Sequence, residues 1–351
     1  MGISLVGVYK LDPLTDPRWQ DFVDRHPDGS VFHTAAWLEA LRRTYGYQPV
    51  VYTTTPPAAE LSNGLLFCNI RTWLSGARLI SVPFSDHCQP LADAWSVAEV
   101  MDWLRAARGR KQWKYIELRP RRTDGVAFDG DVALSESFSL QLLDLRPDLY
   151  TLFRNFHRSC VQRKIQRAER EGLSYEEGRS DSHLEKFYDL LLLTRRRHGL
   201  PPQPRLWFRN AIACLGDCAV IRIASKDGRP VASIVTIQYK NVTVYKYGCS
   251  DARFNNLGGN ALLFWKAIQD AKAKGILTFD FGRSEPGNSG LISFKENWGA
   301  TSIPLNYYRL PASQPFHLSS GWPTRLAKGV FSLLPDSLLT ATGKLLYPHI
   351  G

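Results

Sequence analysis

Residues 245–300 read YKYGCSDARFNNLGGNALLFWKAIQDAKAKGILTFDFGRSEPGNSGLISFKENWGA, and this stretch decides the fold. Thr243 to Gly248 is rich in β-formers and ends in glycine, the signature of a strand running into a turn. Leu257-Gly258-Gly259-Asn260 then opens an apolar-periodic segment that continues to Lys274. Leu262, Leu263, Trp265, Ala267, Ile268 and Ala271 repeat there at helical spacing. Gly275 stands where a left-handed residue ends a helix. Ile276 to Phe281 is a short strand of buried type, and a polar loop follows, ending in Phe294-Lys295. A strand, glycine and helix in succession point free backbone N–H groups and a positive helix end at an anion. The glycines match neither G-x-G-x-x-G nor a Walker A loop. A tight turn that needs glycine for its backbone angles explains them equally well.

Working back toward the N-terminus, Cys218–Ser225 and Pro230–Gln238 form a hairpin across Lys226-Asp227-Gly228, where Asp-Gly is a strong turn signal. Asn241–Gly248 extends it as an antiparallel strand. Helices are expected at Ser182–Arg197 and Pro204–Leu215, and a strand at Leu173–Glu177. In the first half, Asp16-Pro17 and Thr34 are helix starts. Strands are read at Ser4–Lys10, Gln48–Thr54, Gly64–Ile70, Arg78–Val82, Tyr115–Leu118 and Phe138–Leu143, with a helix at Val97–Ala107. Strands that alternate with helices indicate a mixed α/β (α+β) sheet.

A length of 351 residues favours two domains over one core. Hydrophobic residues make up 44% of the chain, enough for packed cores rather than disorder. The net charge of +11 favours anionic partners such as nucleotides, tRNA, acidic glycans or lipid headgroups. Six cysteines follow no metal or disulfide spacing and read as reduced thiols, so no metal site is expected. The N-terminus lacks a signal-peptide pattern, and no apolar run is long enough to span a bilayer. The expected location is the cytoplasm, including the inner face of the cell membrane.

Leu152 to Gly172 reads as one long helix, with Arg163, Arg167 and Arg170 on a single face. Like charges at that spacing repel unless an anion answers them. The loop from Pro83 to Asp93 follows a strand and offers Asp86, His87 and Asp93 to position or deprotonate an amine. Asp93 alone reads better as a helix cap. Tyr247, Ser250, Asp251, Asp280, Arg283, Ser284 and Lys295 fall at the ends of elements in the deciding stretch. Arg283 and Lys295 are the strongest anion binders among them. Tyr247 or Asp280 can relay a proton, although Asp280, inside the apolar run Phe279-Asp280-Phe281, can also anchor backbone.

Four phrases, in this order, carry a resemblance: VFHTAAWLEAL (31–41), SVPFSDHCQPLAD (81–93), QRKIQRAEREGL (162–173) and DFGRSEPGNSGLISFKENWGA (280–300). Over residues 30–310 the chain resembles the FemAB-like branch of the GNAT acyltransferase superfamily. That branch includes aminoacyl-tRNA-dependent peptidoglycan bridge enzymes and acyl-CoA-type proteins linked to cellulose and exopolysaccharide synthesis. The resemblance implies tandem GNAT-like domains, each a mixed, mainly antiparallel sheet flanked by helices: a degenerate one over 1–150 and an acyltransferase domain over 151–310. It implies that Lys295, in the Phe294-Lys295 motif, faces the donor or the developing negative charge; Asp280 and Tyr247 are the further catalytic candidates. Arg163 and Arg167 would hold a phosphorylated substrate, and Asp86 or Asp93 would lie near the acceptor, with Arg283, Ser284 and Phe294 completing substrate binding. Ser250, Gly258, Gly259 and Asn260 would cradle an acyl-CoA co-substrate, the glycine pattern of that cradle being only loosely met. Aminoacyl-tRNA is the alternative donor, and no tightly bound cofactor is expected.

The acceptor implied is the amino group of an anionic or lipid-linked envelope or exopolysaccharide precursor; DNA is not an expected partner. A non-catalytic binding protein is the rival reading. Residues 311–351 form a separate tail with amphipathic segments at Thr324–Phe331 and Ser337–Leu346, suited to docking or to weak peripheral membrane contact.

Overall fold

The computed structural model describes residues 7–123, 131–311, 331 and 333–350. It divides the chain into two units that are interleaved in sequence. Residues 1–137, 305–316 and 347–351 form the first, and residues 138–304 and 317–346 the second. The segment Thr324–Phe331 falls outside the described residues except for Phe331.

In the first unit, β1 (Tyr9–Leu11) is followed by α1 (Pro17–Arg25), α2 (Ala35–Tyr45), β2 (Gln48–Thr53), β3 (Leu65–Thr72), β4 (Gly76–Ile80), α3 (Ala94–Lys111) and β5 (Ile116–Leu118). The expected caps are in place. Asp16 accepts from the Arg18 amide at 3.1 Å, and Thr34 accepts from the Trp37 amide at 3.3 Å. Strands β1 to β4 form an antiparallel meander. Helix α3 crosses over so that β5 lies parallel to β4, and a late strand, β12 (Thr301–Leu310), pairs antiparallel with β5. Val97, Val100, Met101 and Leu104 of α3 bury one stripe against Tyr52, Phe67, Leu79 and Ile116 of the sheet.

The second unit repeats this order. Strand β6 (Ala133–Asp144) leads through α4 (Leu149–Asn155) and α5 (Arg163–Arg170) to β7 (Ser174–Gly178). Then come α6 (Asp181–His198), α7 (Arg205–Leu215), β8 (Ala219–Lys226), β9 (Arg229–Tyr239), β10 (Val242–Ser250), α8 (Gly259–Ala273), β11 (Thr278–Ser284) and α9 (Ser289–Glu296). Strands β7 to β10 form the meander. The β8–β9 turn holds Asp227 and Gly228 at positive φ, as a tight hairpin requires. Helix α8 is the crossover, β11 lies parallel to β10, and β6 closes the order antiparallel to β11. Two helices after the first strand, a meander, a crossover and a parallel strand therefore occur in both units. This is the tandem arrangement that the sequence resemblance implied.

The main core of the second unit gathers Phe156, Ile165, Leu263, Phe264, Ile268, Phe279, Phe281 and Trp298. Burying a side chain of this size contributes about 1.5–3 kcal/mol. Helices α5 and α8 pack together over this core, and α6 and α7 pack together against the sheet through Phe187 and Phe208.

One buried charge cluster tests the first unit. Glu117 of β5 is 2% exposed and lies 2.8 Å from Arg119 and 2.6 Å from Arg309. Burial pushes its carboxyl pKa up, but the two guanidinium groups outweigh burial and hold it below the ordinary value of 4.5. A depressed folded pKa means that the stabilisation is present above the unfolded value and is lost as pH falls through the folded one. Glu117→Gln is expected to lower stability at neutral pH by about 3 kcal/mol. Urea unfolding as a function of pH should show that gap closing in acid.

Candidate active site

The geometry of the second unit turns on where β10 and β11 separate. They pair in parallel at Val242–Thr278, Thr243–Phe279 and Val244–Asp280. Beyond Val244 the two strands continue, to Ser250 and Ser284, without further pairing among the described residues. A bulge sits in each strand at this point. The β10–β9 register shifts between Tyr245 and Tyr247, leaving Lys246 as the extra residue. The β11–β6 register shifts between Asp280 and Arg283. Bulges bend a strand and increase its local twist, so two of them at one level turn the strands away from each other.

The β10 bulge also re-aims side chains. In a regular strand residues 245 and 247 share a face. Here the Tyr245 ring meets Phe264 of α8 at 4.7 Å, whereas Tyr247 meets Phe208 of α7 at 5.0 Å. A Cβ added at Gly248 would collide with the Tyr245 hydroxyl, so Gly248 has joined the Tyr245 face. The Tyr247 oxygen accepts from Trp207 Nε1 at 2.8 Å and Gln203 Nε2 at 3.3 Å, which fixes the phenol beside α7. Sequence reading missed Lys246 as the bulge residue. A register break inside an otherwise regular β-pattern leaves no mark in composition.

The β11 bulge is held from inside. Gly282 adopts φ +73°, and its amide donates to Asp280 Oδ1 at 2.7 Å. Asp280 therefore anchors backbone, the second of its two expected roles, and it is 2% exposed. Lys295 of α9 reaches the same bulge. It too is 2% exposed, and its ammonium donates to the Gly282 carbonyl at 2.7 Å, the Arg283 carbonyl at 3.0 Å and Gln141 Oε1 at 3.1 Å. Ser284 Oγ donates to the same Gln141 oxygen at 2.8 Å, so Ser284 belongs to this knot as well. Gln141, from β6, is its hub and was not legible in the sequence. The polar loop expected before Lys295 is instead helix α9, capped by Asn288, which accepts from the Leu291 amide at 3.1 Å. Phe294 packs on Phe264 at 5.6 Å, a core contact. The Arg283 guanidinium lies over the Phe138 ring, 4.1 Å from its centroid.

After β10 the chain turns through Asp251, whose carboxylate accepts from the Arg253 amide at 3.1 Å and pairs with the Arg253 and Arg229 side chains. Hydrogen bonding from Arg253 keeps this carboxyl below its usual pKa. The Ser250 amide donates to Thr194 Oγ1 at 2.9 Å, and the Thr194 hydroxyl returns a bond to the Ser250 carbonyl. Gly258 has φ +84°, and any Cβ there would strike the Lys164 carbonyl of α5. Gly259 faces Ala232 of β9 at contact distance. Close packing thus accounts for both glycines, and α8 begins without a side-chain cap at Gly258, with Asn260 in its first turn.

The matching helix of the first unit differs. The α3 N-terminus is filled by the Asp93 carboxylate, which accepts from the Ser96 amide at 2.7 Å and caps the helix. Asp86 contributes its carbonyl to the Tyr307 hydroxyl at 2.6 Å. In this unit the loop after β4 closes onto the strand end: the Ser81 amide donates to Glu117 and the Cys88 amide to Arg119.

The single long helix expected over 152–172 is broken. Helix α4 stops at Asn155, a π-turn covers Arg158–Gln162, and α5 begins at Arg163. The Gln162 side chain donates to the Phe156 carbonyl at 2.7 Å and satisfies backbone at the break. On α5, Arg163 and Arg170 line an open depression of about 540 Å³ with Gln166 and Glu169, while Arg167 pairs with Glu171 at 3.4 Å. No cluster suited to hold a metal ion occurs among the described residues.

Residues 155–295 match the family described as an acetyltransferase (GNAT) domain. Among curated proteins none matches the chain. Three solved structures are similar in fold. The crystal structure of FemX is 14% identical, with a TM-score of 0.64, over 85% of this chain and 96% of that one. The C-terminal domain of a putative lysylphosphatidylglycerol synthetase from Agrobacterium fabrum is 16% identical, with a TM-score of 0.53, over 83% and 90%. A tandem GNAT protein from the clavulanic acid biosynthesis pathway is 11% identical, with a TM-score of 0.53, over 88% and 99%.

Two substitutions separate structural from chemical roles at this site. Lys295→Met should destabilise the second unit by about 1–3 kcal/mol, because the Gly282 and Arg283 carbonyls lose the ammonium and Gln141 Oε1 loses one of its two donors. Gly258→Ala should cost more than Gly259→Ala, since only the former combines positive φ with a backbone clash. Urea midpoints of the three variants check both expectations.

Proposed function

We propose that this chain, whose residues 155–295 match the acetyltransferase (GNAT) domain family, transfers an acyl group from acyl-CoA to an amino group of a cell-envelope or exopolysaccharide precursor. The observation that carries this reading is the parting of β10 from β11 beyond Val244, with Lys246 bulged out of the ladder at its mouth. Strands that part in this way leave room for a thioester between them, where an amine attacks the carbonyl and an oxyanion develops. The incoming nitrogen bonds to the carbonyl carbon, the C–S bond breaks, and the proton lost by the amine ends on the departing thiolate. Binding the two reactants in one gap converts the encounter to an effectively unimolecular step. The uncapped start of α8 at Gly258-Gly259 suits the donor's phosphates, and Arg283 at the end of β11 suits an anionic group of either reactant. The envelope assignment rests on the four-phrase resemblance and on likeness to a structure described as a lysylphosphatidylglycerol synthetase domain.

A second reading, with aminoacyl-tRNA as donor, draws support from the exposed arginines of α5, Arg163, Arg167 and Arg170. Calorimetry with acetyl-CoA, longer acyl-CoAs and charged tRNA decides between donors. Millimolar or tighter binding of an acyl-CoA is expected, and binding of charged tRNA alone favours the second reading. If none of them binds, a non-catalytic binding protein becomes the better description. Arg283→Ala should lower turnover by about tenfold or more while the fold, read by circular dichroism, is kept.

A further inference from the structure

The hairpin joining β3 to β4 in the first unit carries a feature that acyl transfer does not use. Its turn is Thr72-Trp73-Leu74-Ser75, tied by the Ser75 amide to Thr72 Oγ1 at 3.1 Å and followed by Gly76 at φ +78°. Trp73 is 86% exposed and Leu74 55% exposed at the tip. A large aromatic and a leucine side by side in water are costly unless something covers them.

The surroundings of the tip carry one sign of charge. Residues 71–78 (RTWLSGAR) and 108–114 (RGRKQWK) hold six cations and no carboxylate. The two segments are bonded together. The Lys114 amide donates to the Ala77 carbonyl at 2.9 Å, Arg71 reaches the Lys111 carbonyl at 3.4 Å, and the Lys114 side chain lies against Gly76. Arg71, Arg110, Lys111 and Lys114 are exposed.

The base of the hairpin is braced. Arg78 is buried and donates to the His349 carbonyl at 2.6 Å, Trp113 Nε1 donates to Asn69 at 3.1 Å, and the His349 ring meets Trp73 edge-on at 5.2 Å. The tip is therefore presented by fixed supports. A protein interface sets its aromatic anchor within a patch depleted of charge. A projecting aromatic tip ringed by lysine and arginine instead fits the boundary between anionic headgroups and acyl chains.

We propose that the β3–β4 hairpin is a membrane-docking wedge for an anionic lipid bilayer. Trp73 and Leu74 enter the headgroup–acyl boundary, and Arg71, Arg110, Lys111 and Lys114 pair with lipid phosphates. This surface is distinct from the acyl-transfer gap, and its test does not depend on the reaction proposed above.

Flotation of the full chain tests it with vesicles of phosphatidylcholine alone and with about one third phosphatidylglycerol. Salt-sensitive binding to the anionic vesicles only is expected. The double variant Trp73→Ser, Leu74→Ser should bind about tenfold more weakly, with unchanged near-ultraviolet circular dichroism. Trp73→Phe keeps an apolar tip, so it should still bind but lose part of the fluorescence quenching that brominated lipid causes in the unsubstituted chain. Failure of the unsubstituted chain to bind anionic vesicles would overturn the proposal, as would equal binding by the double variant. So would quenching in Trp73→Phe that matches the unsubstituted chain, or sedimentation showing that the tip instead joins two copies.

Discussion

The candidate active site depends on two neighbouring parallel strands being forced apart after three paired positions. Backbone groups released from a ladder must find other partners or stay available. In β11 they find partners: Asp280 takes the Gly282 amide, and Lys295 takes the Gly282 and Arg283 carbonyls. In β10 the bulge at Lys246 interrupts the ladder to β9 and throws Tyr245 and Tyr247 onto different faces. One wall of the gap is thus fastened by these bonds, and the other carries the break in register. A buried ammonium among oxygen acceptors is a strong fastening, because removing it strands several polar atoms in the interior.

The two units share an order of elements and differ where chemistry would occur. In the second, the strands part and the crossover helix starts at a glycine. In the first, the loop after β4 bonds to the end of β5, and the crossover helix starts at a carboxylate. A carboxylate already occupying a helix N-terminus satisfies the amides there and repels a phosphate. The buried Glu117, Arg119 and Arg309 cluster adds fixed polar structure at that same strand end. Duplication of topology therefore does not duplicate the site.

Much of the fold was legible because its signals are local. Asp16-Pro17, Thr34 and Asp227-Gly228 act through their own backbone, so the caps and the hairpin lie where the residues said. The helix from Gly259 and the strands on either side followed from periodicity. The break between α4 and α5 was not legible, because residues 152–172 keep a helical apolar spacing across it. The cause is a π-turn with a glutamine side chain bonded back to Phe156. Helix α9 hid in a stretch rich in glycine and serine.

The sequence by itself determined most element types and the mixed α/β class, because propensity, capping and apolar spacing are properties of short segments; the tandem plan was implied by the resemblance that four phrases carry. Tertiary structure alone decided what surrounds Lys295. An isolated lysine reads as a charge in search of an anion. Only the arrival of Gln141 from a strand 154 residues away, together with two carbonyls freed by a bulge, turns it into a buried clamp. Long-range hydrogen bonding of this kind depends on register, and register is fixed when strands pair, after every local preference has been spent.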